Sequence, residues 1–332
     1  MPAPLRDMRV IDLSRLLPGP FATLCLQGLG ATVIKVEDPQ GGDYLRHIPP
    51  FLGEHGAWFT TLNRGKRSVA LDLKSPAGRD GLLGLLARAD VLVESFRPGV
   101  MTRLGLDPAE LVGRFPRLVV ASLTGWGQTG PLARMPGHDL GFLALAGMLG
   151  HGAPGVPRMQ WGDLAAGGLC AALRIVAAHH AGEGGWLDIA MLDGLVGLEQ
   201  TQFAGLAAGA EPDITLTGGV PQYQVYRCRD GWVTVAALEP AFLAALAGAC
   251  PEMTTEALSA MFAEGTRAEW EARLPHACVV PVLSLGEVAG HPQVAARGLF
   301  DATGLAHPPT GQVAGAVPRL GEHTGEELPS AC

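Results

Sequence analysis

The feature that most limits how this chain can fold is an alternation of short β-branched apolar runs with stretches of helical spacing. MRVIDL over Met8–Leu13 leads through Pro18-Gly19-Pro20 into a helical pattern over Phe21–Leu29. ATVIKVE over Ala31–Glu37, Val69–Leu73, VLVES over Val91–Ser95 and LVVASL over Leu118–Leu123 repeat the theme, with helical stretches such as Ala77–Ala89 between them. Runs that are apolar at consecutive positions are buried on both faces, and strands alternating with helices need crossover connections. The pattern predicts an α/β fold, a Rossmann-like doubly wound parallel sheet with helices on both sides.

The later sequence differs. Leu164–His180 reads as a long apolar helix, Gly184-Gly185 as a break, Trp186–Ala190 as a further strand and Leu192–Ala208 as a helix. Glu211–Val220 has the Gly, Pro and Asp content of a linker. Tyr223–Arg227 and Trp232–Ala236 flank Arg229-Asp230-Gly231 as a β-hairpin, and helices at Pro240–Ala249 and Arg267–Leu274 complete a smaller α+β unit. The expected organisation is a large domain over 1–190, a linker helix and loop over 191–220, a small domain over 221–301 and a Pro/Gly-rich tail over 302–332.

Charge narrows the partners. With 24 Lys and Arg against 32 Asp and Glu, the net charge of -8 argues against nucleic acid or an anionic membrane, so an anionic ligand must be met by a local basic cluster. The six cysteines are scattered without CxxC spacing or a nearby histidine pair, which predicts reduced thiols and no metal site. Asp7, Asp12 and several prolines interrupt the N-terminal segment, so no signal peptide is expected. No uninterrupted apolar window reaches bilayer-spanning length, and the expected location is the cytoplasm.

Several motifs carry chemistry, each beside a plainer reading. Leu17-Pro18-Gly19-Pro20 is not GxGxxG, which disfavours a nicotinamide dehydrogenase and leaves a tight connection. Asn63-Arg64-Gly65-Lys66-Arg67-Ser68, and Arg97 and Arg103 in FRPGVMTRLG, lie near strand ends and offer donors to phosphate; the plainer reading is solvated charge. In Pro136-Gly137-His138-Asp139 the last two residues fall at a helix start, where free N–H groups favour a developing oxyanion and a neutral imidazole, unless Asp139 merely caps the helix. Asp163 in Trp161-Gly162-Asp163-Leu164 is either a cap or an exposed carboxylate able to act as acid, base or nucleophile. Glu239 in ALEP directly precedes the proline that begins a helix.

Taken in order, LPGPFATLCLQGLGATVIKVE, NRGKRSVALDLKSPAG, ADVLVESFRPGVMTRLGLDPAEL, SLTGWGQTGP, PGHDLGFLALAGML, WGDLAAGG, GGWLDIAMLDGL, YRCRDGWVTVAALEP, CVVPVLSLGEV and HPQVAARGLF resemble the family III CoA-transferases and their relatives the α-methylacyl-CoA racemases. The resemblance implies the family III fold as an interlocked homodimer, with the C-terminal tail returning to the large domain. It implies an acyl-CoA ester on the large domain, its acyl carbon facing the small domain of the other subunit. Coenzyme A would then be part of the substrate, with no tightly bound cofactor. Arg97 and Arg103 match positions that hold the CoA phosphates, and Arg64 and Lys66 lie in a matching basic segment. Asp38 departs from the pattern, standing where some relatives carry an arginine near the adenine.

Asp163 matches an aspartate that is a nucleophile in the transferases and one of two bases in the racemases. His138 matches the racemase histidine, Glu239 a glutamate that supports it, and the transferases' mobile glycine run has no counterpart. The chemistry agrees: removing a thioester α-proton produces an enolate whose oxygen needs donors near His138 and Asp139, and racemisation needs a base on each face. The expected activity is interconversion of R and S 2-methylacyl-CoA by His138 and Asp163. Transfer of CoA between carboxylic acids through Asp163 is the runner-up, and an inactive acyl-CoA-binding protein the third reading. The interval between His138 and Asp163 looks shorter than in typical racemases, and Met148, Leu149 and Met159 are candidates for its acyl pocket, with core packing as the alternative.

Overall fold

A computed structural model describes residues 3–150, 154–210 and 214–328. The chain divides into two compact units, Met1–Glu199 with Phe300–Cys332, and Gln200–Leu299. Within the first, strands β1 (Arg9–Asp12), β2 (Thr32–Glu37), β5 (Arg67–Ala70), β6 (Val91–Glu94), β7 (Val119–Thr124) and β8 (Gly185–Ala190) form one parallel sheet in the order β5-β2-β1-β6-β7-β8, while β3 (Phe51–Leu52) and β4 (His55–Gly56) make a separate small hairpin. Helices α1 (Pro18–Gly28), α2 (Ala57–Asn63), α3 (Pro76–Leu86), α4 (Val100–Arg103), α5 (Pro108–Arg114), α6 (Asp139–Leu145), α7 (Cys170–Ala181) and α8 (Met191–Leu198) connect the strands. Consecutive strand residues enter different cores. Val10, Val91, Val93, Val119 and Ala121 pack with α1 and α7, whereas Ile11, Leu92 and Val120 pack with Leu82, Leu85 and Leu111 from α3 and α5. Burial on both faces is why these strands read as continuous apolar runs.

Three local expectations are corrected. α1 begins at Pro18 rather than after Pro20, because proline at the first helical positions forfeits no intrahelical hydrogen bond. Gly19 is needed there: a Cβ on it would stand 2.1 Å from the Ser14 side chain, so the LPGP glycine serves close packing of α1 on the exit from β1. The expected strand over Val69–Leu73 is instead β5, Arg67–Ala70, and the helix expected over Leu192–Ala208 is two helices, α8 and α9 (Gln200–Ala207), parted at the boundary between the units. The linker residues 211–213 and the tail residues 329–332 lie outside the described residues.

The edge strand β5 is covered by the tail. Ser68 N–H donates to His323 Nδ1 at 3.1 Å and Ala70 N–H to Thr324 Oγ1 at 3.0 Å, while Arg67 pairs with Glu326 and Glu327. A covered edge leaves no row of free backbone groups for another strand.

A π-helix over Trp161–Leu169 runs directly into α7. The joined helix, Trp161–Ala181, is 21 residues long with mean hydropathy 1.3, long and apolar enough by length and composition alone to cross a membrane, although Asp163 and Arg174 interrupt its apolar sequence. Within the unit its Ala166, Ala171, Ala172 and Ile175 are core residues, packed with α1, α8 and the sheet.

The second unit contains β9 (Tyr223–Cys228), β10 (Gly231–Ala236) and β11 (Val279–Pro281), an antiparallel sheet in the order β11-β10-β9. Besides α9 it has α10 (Pro240–Ala249), α11 (Thr255–Ala263) and α12 (Arg267–Arg273), with Tyr226 stacked on Phe262 and Trp270 edge-on to Phe262 in its core. The hairpin, α10 and α12 match the sequence reading; α11 and β11 were not foreseen.

Candidate active site

The chain travels from β1 outward through β2 to β5, then returns to β6 beside β1 and travels the other way to β8. Ligands of open α/β sheets bind at such a reversal, outside the carboxyl ends of the strands. Two cavities lie there, of about 260 and about 500 Å³, and they share Arg15, Phe96 and Arg97, which follow the ends of β1 and β6.

The smaller cavity is lined by both His138 and Asp163. His138 occupies the N-cap of α6 with extended backbone and makes no side-chain cap bond, which leaves its exposed imidazole free of its own helix. Asp163 is half-buried in the first turn of the π-helix and does not cap it; the N-cap is Gln160. A π-turn of this kind often marks a functional position. Burial, and secondly the charge of Asp139, pushes the Asp163 carboxyl from 3.8 up to about 7. Such a group can hold or release a proton near neutrality. Asp139 is indeed a cap, but of a helix other than its own: its Oδ1 accepts the Asp163 N–H at 2.9 Å.

The basic residues are not all where the sequence placed them. Arg97 is exposed and lines both cavities. Arg103 is exposed at the end of α4 and lines neither. Arg64 and Lys66 are buried, line neither cavity and are met by acceptors inside the fold. The Arg64 guanidinium donates to the Thr61 and Ala306 carbonyls and stands 3.7 Å from Asp301, tying the tail to the unit. Lys66 Nζ has four oxygens within 3.1 Å, from Asp12, Pro20, Thr23 and Asn63. Asp12 is the buried anion of this cluster: burial would raise its carboxyl, but Lys66, Lys35 and two hydroxyls hold it at about 2. Burial pushes Lys66 down to about 8, and Lys35 adds to that; the charged pair nonetheless prevails, because Asp12 is firmly ionised and Lys66 has acceptors on every side.

Sequence reasoning missed Arg15 and Lys74, which join Arg97 as cavity-lining cations without a carboxylate partner among the described residues. The available signal was position: Arg15 stands just past the end of β1 at the reversal. Its guanidinium lies 4.9 Å from the Tyr44 ring and 6.0 Å from Phe96, and donates to the Tyr44 hydroxyl at 2.9 Å. Asp38, the departure noted in the sequence, is exposed on the wall of the larger cavity.

The apolar wall beside His138 comes from Leu16, Trp126, Met135, Phe142 and Met191. This replaces the methionines expected from sequence. Met148 and Leu149 pack on the cluster around Phe142 and Leu195, and Met159 is exposed but does not line the cavity. Residues 151–153, in the middle of the short interval, lie outside the described residues. Glu239 is in the second unit, the exposed N-cap residue of α10 with no cap hydrogen bond. Glu94, another residue the sequence did not single out, is buried at the end of β6, where burial pushes it up to about 7 against hydrogen bonds from Ser122 and the Phe96 N–H. No group of His, Cys, Asp and Glu placed to hold a metal ion occurs among the described residues.

A family model, CoA-transferase family III, matches residues 5–331. The chain is 37% identical to the alpha-methylacyl-CoA racemase of Homo sapiens, over 89% of this chain and 82% of that protein. It is 32% identical to the acetyl-CoA:oxalate CoA-transferase of Acetobacter aceti, over 91% and 86% of the two chains. The crystal structure of a CAIB/BAIF family protein from Brucella suis superposes with a TM-score of 0.85 at 28% identity, covering 98% of each chain.

Proposed function

The chain belongs to CoA-transferase family III, and on that premise we propose that it interconverts the R and S forms of a 2-methylacyl-CoA thioester. The observation that carries this reading is that His138 and Asp163, distant in sequence, line one cavity, and that the Asp163 carboxyl is poised near neutrality. In the proposed reaction one of the two removes the α-proton, and the electron pair moves onto the thioester oxygen as an enolate. The Asp139 N–H, at the first helical position and so without an intrahelical acceptor, is the donor assigned to that oxygen. The other residue then delivers its proton to the opposite face, and the roles exchange in the reverse direction. A carboxyl near 7 suits both roles; an ordinary aspartate would be a weak base and almost never protonated at neutral pH.

Arg15 and Arg97, shared by the two cavities, are placed for the phosphates of a CoA ester whose nucleotide occupies the larger one and whose acyl end occupies the smaller. Trp126, Met135 and Met191 favour an apolar acyl chain. Glu239, assigned by resemblance alone, would support His138 from a second copy of the chain in a homodimer. One observation favours the runner-up: the Asp163 carboxyl accepts no hydrogen bond among the described residues and borders the cavity, as a nucleophile for CoA transfer would.

A single incubation tests these readings. A chiral 2-methylacyl-CoA in deuterated water should gain deuterium at C2 and lose its enantiomeric purity. CoA passing to an added carboxylate, with Asp163 trapped by hydroxylamine and no deuterium gained, would replace the racemase by the transferase. Neither outcome would leave a binding protein.

A further inference from the structure

Asp139 and Asp163 belong to different helices and meet at one hydrogen bond. Asp139 Oδ1 accepts the Asp163 N–H at 2.9 Å, and that N–H lies in the first helical turn, where the helix itself supplies no acceptor. Gly162 makes the contact possible, since a Cβ there would stand 2.8 Å from the same Oδ1. A carboxylate is therefore held against the residue proposed to move protons, although nothing in its position lets it serve as a third base.

The elements packed on this π-helix carry few other charges. α1 has none beyond the Cys25 thiol; α6 brings Asp139, with His138 at its cap; α7 has Cys170, Arg174, His179 and His180; α8 has Asp193 and β8 Asp188. Arg15 and Arg97 stand on the cavity wall. Among all of these only Asp139 acts on the Asp163 carboxyl, alongside burial.

We propose, resting on the racemase reading, that Asp139 is a positioning residue with two effects on Asp163: its hydrogen bond fixes where the reacting carboxyl stands, and its carboxylate, held against the same turn, disfavours a second negative charge beside it. Two neighbouring carboxylates do not both ionise freely, so one stays anionic while the other retains its proton. Asp163 is then ready to act as acid in one direction and as base in the other.

The test separates charge from hydrogen bonding. In Asp139→Asn the amide oxygen still accepts the Asp163 N–H but the charge is gone; in Asp139→Ala both are lost. The Asp163 carboxyl is followed by infrared spectroscopy of protein labelled with 13C-aspartate, its band assigned by disappearance in Asp163→Asn. It should titrate near pH 7 in the unaltered protein and about one pH unit lower in Asp139→Asn. The pH profile of α-deuterium exchange should shift the same way. Asp139→Ala should exchange about tenfold or more slowly than Asp139→Asn, the consequence of losing a hydrogen bond to a charged group. An unchanged Asp163 titration in Asp139→Asn, or equal exchange rates in the two variants, overturns the proposal. The infrared measurement needs no turnover, so a shifted titration in a protein that exchanges no deuterium supports the action of Asp139 while removing the racemase reading.

Discussion

Replacing Glu94 by glutamine removes a charge that has no ion-pair partner among the described residues. Glu94 is 2% exposed at the end of β6. Its carboxyl accepts the Phe96 N–H at 2.8 Å and a bond from Ser122, whose oxygen in turn accepts the Trp186 indole N–H at 2.9 Å. Burial is the dominant influence and carries the carboxyl from 4.5 to about 7. A folded value above the unfolded one means that the folded protein binds the extra proton: the linked stability is fully present below about 4.5, falls as pH rises, and is gone above about 7. The rise from 4.5 to about 7, at about 1.4 kcal/mol for each tenfold change in proton affinity, makes that loss roughly 3–3.5 kcal/mol. This is a sizeable part of a typical stability of about 5–15 kcal/mol. Glutamine keeps an acceptor for Phe96 and cannot ionise. Glu94→Gln should therefore be close to the unaltered protein at pH 5, and more stable by about 3 kcal/mol at pH 8, in urea unfolding followed by tryptophan emission. Comparing the two proteins at each pH cancels the similar trend contributed by Asp163. A stability difference of equal size at pH 5 and pH 8 would refute the reasoning, because it would mean that the Glu94 charge is met in the fold after all.

His138→Ala should lower α-deuterium exchange by about 10²- to 10⁴-fold, the range for loss of a general base. Because His138 is exposed and makes no cap bond, the unfolding midpoint should not move; undiminished exchange would count decisively against its role. Lys66→Met should cost about 3–5 kcal/mol, because it leaves the buried Asp12 carboxylate without its nearest cation. Arg97→Ala should do the reverse, raising KM for the acyl-CoA about tenfold or more while leaving stability unchanged. A Lys66→Met protein of full stability would refute the structural role given to this ion pair.

The sheet was legible because burial on both faces writes itself into the sequence as unbroken apolar runs, as in Val91–Glu94 and Val119–Thr124. Boundaries were less so. Leu192–Ala208 has one continuous helical pattern, yet α8 packs in the first unit while α9 falls in the second and has no buried residue, and periodicity does not encode where a chain leaves a core. α11 was overlooked although Thr254 caps it by accepting the Ala257 N–H, a local signal in the sequence that the reading did not use. The proposed catalytic pair was read from motif and residue type, and the cavity brings both residues to its wall.

The basic residues show why the remainder of the site was not legible. Arg64, Lys66 and Arg97 look alike in sequence: each lies beside a strand in a cation-rich segment. What separates them is whether the fold has already supplied acceptors. For Lys66 these include Asp12, 54 residues away, and for Arg64 the Ala306 carbonyl, 242 residues away. Neither is visible in a local window. Buried cations with internal acceptors are committed to holding the strand ends and the tail in place, and the charge left for a ligand is whatever the fold has not used. By that criterion the proposed anion site passes from the Arg64–Lys66 segment to Arg15, Lys74 and Arg97, which border the reversal in the sheet. The buried cluster still matters to binding, at one remove. Lys35 holds the Ser14 carbonyl at 2.8 Å, and Asp12 holds the Ser14 N–H at 2.9 Å and its hydroxyl, so the backbone entering Arg15 is anchored from below by the ion pairs. A substitution at Lys66 that spares folding should therefore affect the ligand only through the placement of Arg15.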